Sequence, residues 1–149
     1  MTIRTHSART RGFSLIELMI VIAVVAILST LAVTSYTRYV LRANRTEARL
    51  VLLSIQASQE KFFLQNNQYA QDLPTAVAAP PAGLGVPLSA GGLTLAGHYT
   101  VSFVAATPTT YTVQAVATGT QTKDAAACLT FTINDQGVRT PADATGCWH

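Results

Sequence analysis

From Leu15 to Val33 the chain reads LIELMIVIAVVAILSTLAV, 19 residues interrupted only by Glu17, Ser29 and Thr30. At 1.5 Å per residue a spanning helix needs about 20 such residues, so the run is just long enough. Tyr36 to Leu64 contains neither proline nor glycine, and nothing there forces a helix to stop. Apolar or small residues recur at Tyr36, Val40, Ala43, Leu50, Leu53, Ala57 and Leu64. A second stripe, Ala48, Leu52, Ile55 and Phe62, has the spacing of a face that packs on a sheet. The pattern predicts one helix from about Ser14 to Asn66, roughly 80 Å long, with one half in a membrane and the other in a head.

The period then changes. Residues 68–97 are rich in Pro, Gly and Ala without a sustained repeat, and read as a connecting loop with a short helical turn. Three alternating runs follow: His98–Val104, Tyr111–Ala117 and Cys128–Ile133. Tyr99, Val101 and Phe103 share a side, as do Tyr111, Val113 and Ala115, and Leu129, Phe131 and Ile133. Thr107-Pro-Thr-Thr110 separates the first two runs, and Asn134-Asp-Gln-Gly137 reads as a turn into Val138-Arg139. The expected fold class is α+β, a small antiparallel sheet on the second half of the helix.

Composition changes this picture little. The apolar fraction of 49% is concentrated in the N-terminal run, and the formal charge of +3 comes from Arg4, Arg9 and Arg11. Without residues 1–12, seven basic side chains face seven acidic ones, so the basic balance belongs to the leader and by itself says nothing about nucleic-acid partners. From Lys61 onward Lys61, Lys123 and Arg139 meet Asp72, Asp124, Asp135 and Asp143, a balance of −1. Binding to DNA is therefore expected to be weak or absent. Arg38, Arg42, Arg45 and Arg49 share a helix face, expected to be solvated or at lipid headgroups with Glu47 as local compensation, or else a subunit contact.

Cys128 and Cys147 are open to three readings: two unrelated buried thiols, a metal site, or one disulfide. Two cysteines 19 apart, with His149 as a lone terminal candidate, lack the spacing of a zinc site. A membrane-inserted N-terminus favours export, and with it the disulfide. No nucleophile–base pair, phosphate loop or dinucleotide pattern occurs, and His98 reads as a sheet or loop residue. Neither an enzyme nor a cofactor is expected.

A carboxylate inside a membrane run costs a few kcal/mol and usually has a partner. A cleaved signal peptide has a shorter core and a small-residue site after it, and a plain anchor leaves Glu17 unexplained. Arg11-Gly-Phe-Ser-Leu-Ile-Glu-Leu18 resembles the processing motif of type IV prepilins. That resemblance implies cleavage between Gly12 and Phe13 by a prepilin peptidase and N-methylation of Phe13. It also implies pairing of Glu17 with the terminal amine of a neighbouring subunit; without it, Glu17 is a surface acid near the helix start. The ending, Cys128-Leu-Thr-Phe-Thr-Ile-Asn-Asp-Gln-Gly-Val-Arg139 with Cys147-Trp148, is similar to PilE-type minor pilins and the related ComP pilins. Thr34 stands where many pilins carry proline.

The organisation expected is a leader (1–12), a transmembrane or filament-core helix (13–34), its amphipathic continuation (35–66) and a head (67–149). The resemblance implies a structural pilus subunit, more a minor than a major one, with other pilins, the peptidase, the inner membrane and the assembly platform as partners. Its course would run from a single-pass inner-membrane protein to an extracellular filament. Three arginines before the run against four after it leave orientation to the cysteines and the resemblance. Two rival functions remain, a DNA receptor for transformation and a type II secretion pseudopilin.

Overall fold

The computed structural model describes residues 12–73, 76, 78, 83–142 and 145–148. Most of the leader (1–11), Asp143, His149, parts of the 68–97 loop and the side chain of Thr34 lie outside the described residues. The chain forms two compact units, Met1–Thr37 and Arg38–His149.

A single helix, α1 (Leu15–Asn66), runs unbroken past position 34. In the first unit its large hydrophobic side chains from Leu15 to Leu28 are all exposed. Ser29 Oγ donates to the Val25 carbonyl at 2.7 Å and Thr30 Oγ1 to that of Ile27 at 2.8 Å. These bonds hide two of the three polar interruptions from an apolar surrounding. Among the described residues no such bond is made by the Glu17 carboxylate. At the far end Asn67 takes a left-handed conformation (φ 56°) and its N–H closes on the Phe63 carbonyl at 2.8 Å, which stops the helix.

In the second unit a four-stranded antiparallel sheet has the order β1 (Tyr99–Ala106), β2 (Tyr111–Ala117), β3 (Thr130–Asn134), β4 (Arg139–Thr140). Tyr99 faces Ala117 across β1–β2, and Val113 and Ala115 face Ile133 and Phe131 across β2–β3. Tyr99, Val101, Tyr111, Val113, Ala115, Phe131 and Ile133 are buried on the face the alternation predicts. β3 starts later than expected, because Ala126–Cys128 forms a short 3-10 turn that leaves Leu129 outside the strand. The 134–137 turn forms as read, with Gly137 at φ 76° where a side chain would be strained.

The core joins this face to α1 through Leu41, Ala48, Leu52, Ile55 and Phe62. The second stripe is therefore the packing face, whereas Tyr36, Leu50 and Leu64 of the first are exposed. The buried line also includes Arg45 and Gln59. Gln59 is fully buried and exchanges two hydrogen bonds with the Ala70 backbone, at 2.8 and 2.9 Å, tying the loop back onto the helix.

Candidate functional site: helix start and arginine face

The helix start is built by Ser14, in a role that was not assigned from sequence. Its Oγ accepts the Glu17 N–H at 3.2 Å and its carbonyl accepts that of Leu18 at 3.2 Å. Serine three residues before glutamate is the capping-box signature, a local signal already present in the sequence. The cap fixes Glu17 in the first turn, where the dipole favours its charge, while the carboxylate stays exposed. Phe13 is 80% exposed beside it. Gly12 and Phe13 thus lie just before the helix and Glu17 in its first turn, at an open helix end.

The arginine face is not one solvated face, and the expectation for Arg45 is corrected. Its guanidinium is buried and forms a two-pronged pair with Asp124, both contacts at 2.7 Å. The spacing 41, 45, 48, 52, 55, 59, 62 puts Arg45 on the packing line, so sequence periodicity carried the signal. Burial acts to raise the Asp124 pKa, but Arg45 and the Ala125 amide outweigh it and hold the acid below its usual value. Gln121 is also fully buried and donates to the Leu41 carbonyl at 2.9 Å and to Asp124 at 3.1 Å. Asn44 donates to Gln121 at 3.1 Å. Together they clamp the Gly119–Lys123 turn onto α1. Arg38 and Arg42 remain exposed.

Glu47 does not compensate those arginines. It accepts the Ala96 N–H at 2.9 Å and pairs with His98 Nδ1 at 2.8 Å, so it and His98 anchor the start of β1. At the other end Cys128 and Cys147 are joined by a disulfide, with Cα atoms 5.4 Å apart. Trp148 packs edge-on against Phe131 at 5.5 Å, and Arg139 covers the indole at 5.3 Å. Burial raises the Tyr99 phenol to about 12, with Asp124 adding to the shift, so it is a neutral core group at physiological pH. Among the described residues no cluster of His, Cys, Asp and Glu could hold a metal.

Residues 34–132 match the family model described as "Type IV minor pilin ComP, DNA uptake sequence receptor", and residues 7–33 match the "Prokaryotic N-terminal methylation motif". The chain is 32% identical over 70 residues to the type IV major pilin protein PilA of Myxococcus xanthus, covering 47% of this chain and 32% of that one. It is 36% identical over 74 residues to the type IV major pilin protein PilE1 of Neisseria gonorrhoeae, covering 50% and 35%. It thus spans about a third of the length of these curated relatives. A type IV pilin structure from Shewanella oneidensis shares the fold, with a TM-score of 0.50 at 21% identity over 73% of this chain and 98% of that one.

Proposed function

The chain belongs to the family of ComP-type type IV minor pilins, and from that membership we propose that it is a pilus subunit assembled through its N-terminal helix. The observation that carries the reading is the exposure of every large hydrophobic described from Phe13 to Leu28. Such a surface is unstable in water and needs a membrane first and other subunits afterwards. The leader through Gly12 is removed by a prepilin peptidase, Phe13 is methylated, and the head lies on the periplasmic side before assembly. Glu17 then meets the cationic amine of a neighbouring Phe13 as water is excluded, which answers the one polar side chain of the run without an internal hydrogen bond.

Mass spectrometry of the protein from sheared filaments is expected to show a chain that begins at methylated Phe13. Glu17→Ala should still be inserted and processed, but its amount in filaments should fall at least about tenfold, the loss of one charge-assisted pair. A retained leader, or normal incorporation of the variant, would remove the basis of the proposal.

The family description also favours a second reading, a receptor for DNA during uptake. The head sets the strength to be expected: Arg139 is engaged by Trp148, Arg45 by Asp124, and Lys61 lines a different groove from Lys123. Arg38, Arg42 and Lys123 form no ion pair among the described residues, but three cations round one groove cannot follow a row of phosphates, so residues 38–149 should bind duplex DNA weakly and without sequence preference in gel shifts at physiological salt. Submicromolar binding of one sequence over its scrambled form, lost in Lys123→Gln, would make the receptor reading the correct one.

A further inference from the structure

Arg38 and Arg42 of α1 and Lys123 of the Gly119–Lys123 turn border one groove of about 410 Å³, floored by Leu41 and the Arg45–Asp124 pair. Among the described residues Asp124 is the only acid on its wall, and it is already committed to Arg45 and Gln121. Among the described residues no ion pair forms with Arg38, Arg42 or Lys123. Arg42 Nε donates to the Arg38 carbonyl at 3.3 Å, which draws its guanidinium back along the helix toward Arg38. Like charges four residues apart repel, so the groove is complementary to an anion. Its far wall is held in place, because Gln121 and Asn44 clamp the turn that delivers Lys123.

The position of the groove in the chain indicates which anion. Arg38 follows the last residue of the apolar run by five positions, and Tyr36 and Tyr39 on either side of it are 70% and 67% exposed. Exposed tyrosines interleaved with arginines at the end of a hydrophobic span are the composition of a membrane–water interface. The flank is also the one that the proposed function places outside the cytoplasm, where arginines run against the usual bias and call for a local counter-charge. A duplex would present a row of phosphates, whereas three cations round one groove suit a single phosphate group.

We propose that the Arg38–Arg42–Lys123 groove binds the headgroup phosphate of an anionic phospholipid while the chain is anchored in the membrane. The inference rests on the membrane-anchored stage of the proposed function. Release of that headgroup would then accompany transfer of the subunit from bilayer to filament.

The test uses the full chain, extracted in mild detergent and exchanged into micelles that hold equal amounts of phosphatidylglycerol and phosphatidylcholine with matched acyl chains. Bound lipid is read by native mass spectrometry. Each basic side chain near an anionic surface favours binding by roughly fivefold, so wild type should retain phosphatidylglycerol at least about tenfold over phosphatidylcholine. Arg38→Gln/Arg42→Gln/Lys123→Gln should bring the ratio near one, and Lys123→Gln alone, at an exposed site, should lower it about fivefold. Lys61→Gln, outside the groove, should leave it unchanged.

Equal retention of the two lipids by wild type, or a preference that survives the triple change, would overturn the proposal. So would displacement of the lipid by inorganic phosphate, which would make this a free-anion site, or by duplex DNA, which would assign it to nucleic acid. Carbonate extraction of the membranes is scored separately. A wild-type chain absent from the membrane pellet defeats the anchored stage itself, whereas an anchored chain without lipid preference defeats only the groove assignment.

Discussion

Asp124→Ala is expected to destabilise the head by about 3 kcal/mol, the lower end of the range for breaking a buried ion pair. The low end applies because Arg45 and Asp124, with side chains 10% and 5% exposed, floor a groove that opens to solvent. Removing the acid leaves the Arg45 guanidinium buried against Leu41 and Gln121 without its counter-charge. Asp124→Asn should cost nearly as much, since it keeps the shape but not the charge. Arg45→Met/Asp124→Leu should recover most of the loss, because no uncompensated charge remains. Urea unfolding of residues 38–149 would show the effect as a lower midpoint at unchanged slope. If Asp124→Ala cost less than about 0.5 kcal/mol, the pair would rank with surface contacts and would not clamp the turn.

The same pair fixes the response to acid. The Asp124 pKa is lower in the folded head than in the unfolded chain, so the unfolded state takes up protons first. Its stabilising contribution is complete above the unfolded carboxylate value, near pH 4, and is lost as pH falls through the lower folded value. Arg45, whose own pKa is raised, stays charged throughout. Stability of wild type should therefore decline below about pH 4 more steeply than that of Arg45→Met/Asp124→Leu.

Much of this architecture is legible in the sequence because its periods are long and clean. The apolar run, the absence of Pro and Gly to Leu64, and alternation at Tyr99–Val101, Tyr111–Ala115 and Phe131–Ile133 each commit the chain to one element. What was missed is polar. Arg45 and Gln59 fall on the buried line by spacing, but a charged or amide side chain reads as surface unless its partner is known. Those partners, Asp124 and the Ala70 backbone, come from loops whose return to the helix no local period announces. Glu47 went astray for the same reason: its neighbours on the helix are arginines, yet it is engaged by His98 and Ala96 from across the head. Ser14 differs, since the Ser-x-x-Glu spacing was local and sufficient. The roles proposed for Gly12, Phe13 and Glu17 rest on the motif alone, because the chemistry proposed there would need a peptidase or a second subunit.

Loss of the Cys128–Cys147 bond is expected to cost about 3 kcal/mol, from the entropy of closing a loop between cysteines 19 residues apart. The native state reinforces that estimate, because both cysteines are buried and the bond brings Trp148 onto Phe131. Among the described residues the strand pairing at this end is short: β4 contributes only Arg139–Thr140, paired to Ile133 and Thr132. Cys128→Ala/Cys147→Ala should therefore shift the urea midpoint by about 1.5–3 M for a slope of 1–2 kcal/mol/M. Trp148 is the single tryptophan of the chain, so its fluorescence reports this end directly. In the variant it should redden at urea concentrations where far-ultraviolet circular dichroism is still native, a fraying of the C-terminus ahead of the sheet. Each single alanine change should match the double, since either one removes the whole cross-link. Alkylation of both thiols in the unreduced protein, or a double variant as stable as wild type, would show that packing of Trp148 alone closes the head.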